Sequence, residues 1–188
     1  MTISGIILRA LKKIVHLLEK ENLPYCLFGG LAMQVYKRIR ATKDIDLMIL
    51  VNENKIPKLI ENIEKAGFKF DREKGIIKIN GFELLRFVYL DEITTFEIFI
   101  DLVTVTTEFQ KEVIKRKTRL DFLGIKINIA SLEDLILLKL LSNRSIDRLD
   151  AQYLYEENKE VVNEVYLKSW AEKLKIENDL KDILKQNA

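Results

Sequence analysis

Leu27-Phe28-Gly29-Gly30-Leu31-Ala32, followed by Arg40-Ala41-Thr42-Lys43-Asp44-Ile45-Asp46-Leu47, is the stretch that organises the chain. Upstream, Asn22 to Pro24 breaks the chain, and the apolar run Tyr25 to Phe28 predicts a short buried strand. The glycine pair then opens a helix predicted over residues 31–36, and residues 44–51 predict a second strand. Side chains alternate along a strand, so Asp44 and Asp46 share one face, their α-carbons roughly 6.5–7 Å apart. Ile45, Leu47 and Ile49 take the other face.

Working outward, Ile3, Ile7, Leu11, Ile14 and Leu18 recur at helical spacing and predict a helix over 3–21. Downstream, a helix over 55–66 ends at Gly67. Strand-like runs follow at 68–70, 76–79, 84–89 and 96–105, with Asn80-Gly81 as a hairpin turn between the second and third. Thr107-Glu108-Phe109-Gln110 reads as a capping box, and 120–122 and 125–129 as a hairpin about Gly124. Ser131 caps a helix running through Leu141, and further helices are predicted at 147–156, 161–174 and 179–186. The fold class is α/β (α+β): a small mixed, mostly antiparallel sheet with helices on one side, then a helical tail. The expected division is a core at 1–130, including the N-terminal helix, and a tail at 131–188 packed on it.

The bulk properties exclude several classes. A chain of 188 residues supports one full core. A net charge of +2 gives no global pull toward nucleic acid or membrane. The single cysteine, Cys26, sits in an apolar run and reads as a small core residue in a reducing, cytoplasmic setting. The single histidine, His16, excludes a His-rich zinc site. No segment is apolar enough for a membrane span, and Arg9, Lys12, Lys13, His16 and Glu19 interrupt any signal peptide.

The chemistry lies in the carboxylates. Two like charges held on one strand face repel, and a hard divalent cation, Mg²⁺ or Mn²⁺, removes that penalty. Alone, the pair reads first as two aspartates that end a strand at a solvent edge. Gly29 and Gly30 allow backbone N–H groups close to phosphate oxygens, or form an ordinary turn. It is the order that informs: strand, Gly-Gly, helix, then R-x-T-x-D-x-D. A third carboxylate is expected at Asp101 within Phe96-Glu97-Ile98-Phe99-Ile100-Asp101-Leu102-Val103, with Glu97 on the same face in reserve. In so apolar a strand Asp101 needs a partner, either a metal or a lysine. Arg40 suits a triphosphate as a planar fork and Lys43 as a point charge, or both are solvated loop charges.

On these residues the chain resembles the nucleotidyltransferase superfamily with the DNA-polymerase-beta-like minimal fold, in particular a small branch related to the AbiEii toxin family. Gly29, Gly30, Arg40, Thr42, Asp44, Asp46 and Asp101 match that pattern, and the resemblance runs over 25–155. Ser131-Leu132-Glu133-Asp134-Leu135, Leu138-Lys139-Leu140, Arg144, Asp147 and Asp150 are similar to a helical stretch of the relatives. By that analogy Lys139 faces the nucleotide phosphates; otherwise it pairs with Asp147 or Asp150.

The resemblance implies transfer of a nucleoside monophosphate from an NTP to an acceptor hydroxyl. Asp44, Asp46 and Asp101 would hold Mg²⁺ or Mn²⁺, and Gly29, Gly30, Arg40, Thr42, Lys43 and Lys139 would hold the nucleotide. In toxin-like relatives the acceptor is RNA, tRNA above all, and an antitoxin protein is the implied partner. The alternatives are a small-molecule, antibiotic-type acceptor, or a non-catalytic member that binds nucleotide or a partner. An RNA acceptor calls for a local basic face, for which Lys111, Lys115, Arg116, Lys117 and Arg119, near Phe122, are the candidates; a solvated helix face is the other reading. The apolar face of the tail, with Trp170, serves either packing or a homodimer.

Overall fold

The computed structural model describes residues 3–39, 41–79, 82–92 and 94–185. Arg40, the Asn80-Gly81 turn and Gln186 lie outside the described residues. The N-terminal apolar stripe forms α1 (Ile3–Lys20), burying Leu11, Ile14 and Leu18 completely. β1 (Tyr25–Phe28) follows and is buried over its first three residues. α2 (Gly29–Ala32) starts at the first glycine, earlier than the sequence suggests. It tightens into a 3₁₀ turn (Met33–Tyr36) that Lys37 ends in the left-handed region at φ 65. β2 (Asp44–Ile49) stops two residues short of its predicted end.

After a 3₁₀ turn at Glu53–Lys55 comes α3 (Ile56–Lys65), with Pro57 in its first turn, where its missing N–H costs nothing. β3 (Phe68–Phe70), β4 (Ile76–Ile79), β5 (Phe82–Leu90) and β6 (Glu97–Thr104) follow. Thr107 and Gln110 form the expected capping box of α4 (Glu108–Arg116). β7 (Thr118–Phe122) and β8 (Ile125–Ile129) make the small hairpin. α5 (Leu132–Leu141), capped by Ser131, then leads into α6 (Ser145–Glu157), α7 (Glu164–Leu174) and α8 (Glu177–Lys185).

The strands join in the order β3-β5-β6-β2-β1-β8-β7, with β4 beside β3 along the same long strand β5. The pairs β2–β6 and β1–β8 are parallel; β1–β2, β5–β6, β3–β5, β4–β5 and β7–β8 are antiparallel. The sheet is therefore mixed and mostly antiparallel. Ile45, Leu47, Ile100 and Leu102 on its buried face are all 0% exposed. Helices α1 and α4 contact β6, β1 and β2, while Leu135, Leu138 and Lys139 of α5 close over the carboxylate-bearing face. Helices thus flank both faces, not one. The final helices reach back across the core: Trp170 lies 5.1 Å from Phe109 of α4, ring centre to ring centre, and Arg38 bonds Asp150. Among the described residues no helix is long and apolar enough to cross a membrane.

Candidate active site

Strand register assembles the site. β2 and β6 run parallel with Asp46 beside Asp101, and β5 runs antiparallel to β6 with Arg86 beside Asp101. Asp46, Asp101 and Arg86 thus form a row across three neighbouring strands, with Asp44 two residues before Asp46 on the same face. The row forms the floor of a cavity of about 340 Å³ that Gly29, Gly30 and Thr42 also line.

The glycine pair is required by this packing. Gly29 adopts φ +68, and a Cβ there would stand 2.0 Å from Asp46 Oδ2. A Cβ on Gly30 would stand 3.1 Å from Thr42 Cβ. β1 pairs with β2, Phe28 opposite Asp46, so the turn leaving β1 lies directly against the carboxylate. The Gly30 N–H lies near enough to favour its charge. Thr42 holds the start of β2: its Oγ1 accepts from the Asp44 N–H at 3.2 Å and donates to the Asp44 carbonyl at 3.3 Å.

Burial, then the charges of Asp101 and Asp44, push the Asp46 carboxyl up to about 7, against the opposing pull of Lys139 and the Gly30 N–H. Asp101 is clasped by Arg86, whose Nε donates to Oδ1 at 2.8 Å and whose Nη2 donates to Oδ2 at 2.6 Å. The partner of Asp101 is therefore an arginine from the neighbouring strand, where the sequence predicts a metal or a lysine. Sequence reasoning missed Arg86; its signal was a lone charge inside Leu84-Leu85-Arg86-Phe87-Val88. Glu97 is exposed at the far end of β6, opposite Leu90. Among the described residues, no three His, Cys, Asp or Glu side chains gather in a form that could hold a metal ion.

Lys139 lines the cavity, but its buried ammonium donates to Asp147 Oδ1 at 2.6 Å and Asp150 Oδ2 at 3.2 Å. Arg38 Nε adds a bond to Asp150 at 3.1 Å, and Ser142 Oγ one to Asp147 at 2.7 Å; Arg144 pairs with Asp147 as well. Burial opposes ionisation of Asp147, yet Lys139, Ser142 and Arg144 outweigh it and hold its carboxyl below the usual range. Lys43 is exposed and lies outside the cavity lining.

In the basic run that is the candidate for an RNA face, each side chain has a partner. Lys111 meets Glu108 and Lys115 meets Glu112, each within one helical turn. Arg116 turns inward to Glu133, Asp134 and the Tyr166 ring, and Arg119 bonds Glu19. Lys117 donates to the Ile114 carbonyl, and Phe122 is buried. None of the five lines the cavity.

Comparison with solved structures agrees with this architecture. The chain is similar to an antigenic nucleotidyltransferase-like protein from Paracoccidioides brasiliensis (TM-score 0.55, 20% identity, 95% of this chain and 92% of that one). It is similar to the lincosamide antibiotic adenylyltransferase LnuA in its lincomycin-bound form (TM-score 0.52, 18% identity, 82% of this chain and 97% of that one). It is also similar to the antibiotic-resistance factor ANT(2'')-Ia in solution (TM-score 0.58, 14% identity, 90% of this chain and 94% of that one). At these identities the likeness shows the fold alone. No curated protein matches the sequence. A family of nucleotidyltransferases of unknown function, DUF6036, matches residues 7–181, nearly the whole chain, and the protein therefore belongs to it.

Proposed function

We propose that the protein transfers a nucleoside monophosphate from an NTP to an acceptor hydroxyl, releasing pyrophosphate. The observation that carries this reading is the register of Asp46 beside Asp101 on adjacent strands, against the Gly29-Gly30 turn and in a cavity. The raised Asp46 carboxyl is the cost of burying it and then of setting it beside Asp101 and Asp44, and Asp44 and Asp46 supply the hard oxygen donors that suit Mg²⁺ or Mn²⁺. Asp101 would complete the donor set once released from Arg86. When bound, such an ion withdraws charge from phosphate oxygens and lowers the barrier to displacement.

The chain's own groups do the positioning. Backbone N–H groups of the Gly29-Gly30 turn orient the triphosphate, with Thr42 and Lys139 on the cavity wall. The acceptor oxygen bonds to the α-phosphorus as the bond to the β-phosphate oxygen breaks. Its proton passes to the Asp101 carboxylate. Little covalent work falls to the protein, since such transfers depend on positioning and charge stabilisation.

Two acceptor classes follow. RNA is the toxin-like reading, with an antitoxin protein as the matching partner. A small hydroxylated molecule is the second. The test is incubation with each α-labelled NTP and Mg²⁺, plus total RNA or a pool of aminoglycosides and lincosamides, with Asp46→Asn as control. Label entering RNA establishes the first acceptor, and label in a small product the second. No transfer and no NTP-dependent thermal shift in the wild type overturns the enzymatic reading.

A further inference from the structure

Arg86 occupies a place that chain economy does not explain. It sits mid-strand in β5 among Leu84, Leu85, Phe87 and Val88, of which Leu85 and Phe87 are 0% exposed. A guanidinium there is costly unless it is bonded, and both bonds it makes are to Asp101. Its carbon centre lies 5.3 Å from the Phe99 ring, which holds the planar group from the next same-face position on β6. Its charge is favoured by Asp101 first, then by Asp44 and Asp46, so all three carboxylates feel it. The other cavity bases, Lys139 and Arg144, are held by Asp147. Within the carboxylate row, Arg86 is the cation the strand register supplies.

We infer that Arg86 is a positioning residue that acts as the resident counter-charge of the site: it holds Asp101 in the unloaded protein and competes with a divalent cation for that carboxylate. The inference rests on the nucleotidyl-transfer reading only in taking Asp101 as a residue that faces the cation. A guanidinium cannot lose its proton in a protein, so Arg86 cannot yield by neutralising. It either turns away from Asp101 or repels the incoming ion. The polyphosphate of an NTP offers it another anion. The cation alone therefore binds weakly, and NTP strengthens cation binding by drawing Arg86 off Asp101.

The test is a Mn²⁺ titration, read from the loss of the free-ion electron paramagnetic resonance signal, on wild type, Arg86→Gln and Arg86→Lys without nucleotide. Thermal unfolding of each protein establishes folding. Arg86→Gln is expected to bind Mn²⁺ about tenfold more tightly than wild type, because one positive charge a few ångströms away is gone. A non-hydrolysable NTP analogue, corrected for the Mn²⁺ that the free analogue chelates, then tightens binding to this variant by a smaller factor than it does in the wild type. Arg86→Lys keeps the charge without the two-point clasp and falls between the two. Equal or weaker Mn²⁺ binding in folded Arg86→Gln overturns the inference, as does no binding by either protein. If Arg86→Gln does not fold, an unchanged affinity in Arg86→Lys overturns it instead. The labelled-NTP assay on the same preparations separates the two readings. Tighter Mn²⁺ binding without any transfer by wild type removes the enzymatic reading alone; transfer with unmoved Mn²⁺ affinity removes the role of Arg86 alone.

Discussion

Asp46 shows what the site costs. Its carboxyl titrates at about 7 in the fold, above its ordinary value of 3.8, because burial and the charges of Asp101 and Asp44 disfavour ionisation. A carboxyl raised by folding binds more protons folded than unfolded between those two values. Its contribution to stability is therefore complete below about pH 4 and is lost as pH rises through about 7. In chelator-treated protein, Asp46→Asn should remove this loss, making the variant more stable than wild type at pH 8 by ~1–3 kcal/mol, with the difference shrinking toward pH 4. Denaturant titrations at several pH values measure it, and parallel profiles for the two proteins would refute it. The two aspartates on one face were legible from strand alternation alone. The partner of Asp101 was not, because Arg86 lies 15 residues upstream and reaches it only through the β5–β6 register.

At the level of elements, the junction of β1 with α2 decides whether the site can form. Gly29 combines a left-handed backbone with a position where any Cβ would overlap Asp46. Gly29→Ala should therefore cost ~3 kcal/mol or more, beyond the roughly 1 kcal/mol charged to a left-handed alanine. Adding Asp46→Ala removes the two closest overlaps and should restore part of the excess, leaving the backbone penalty and a 2.9 Å approach to the Cβ of residue 46. A double-mutant cycle in denaturant gives this coupling directly, and simple additivity of the two substitutions would contradict it. The glycine pair was visible in the sequence as a turn that phosphate could approach. Its contact with Asp46 was hidden, since it arises from the antiparallel pairing of Phe28 with Asp46. Element ends moved for similar local reasons: α2 begins on Gly29 itself, and β2 ends at Ile49, where the chain leaves for the next turn.

Across the molecule, the buried cluster of Lys139, Asp147, Asp150, Arg38 and Ser142 ties α5 and α6 to the segment after the first 3₁₀ turn. Asp147 and Asp150 are both 0% exposed, so removing their shared cation leaves buried charge undercompensated. Lys139→Met should lower global stability by ~2–4 kcal/mol while leaving a single cooperative transition. Calorimetry would show this, and a separate low-temperature transition would mean instead that the helical tail unfolds by itself. Lys139 borders the cavity as well, so the cluster links tail packing to the shape of the site.

The sequence by itself determined the order and type of most elements and the carboxylate-bearing face of β2. These are local properties, set by alternation, helical spacing and glycine placement within a few residues; the nucleotidyltransferase reading of the first motif comes from its resemblance to a known family. Tertiary structure alone decided which charges meet. Arg86 faces Asp101, Lys139 is taken up by Asp147 and Asp150, and Arg116 and Arg119 pair with Glu133 and Glu19. A charge carries no mark of its partner along the chain. Strand register and helix packing bring distant residues within hydrogen-bonding distance, and each buried charge then takes the opposite charge that the fold places beside it.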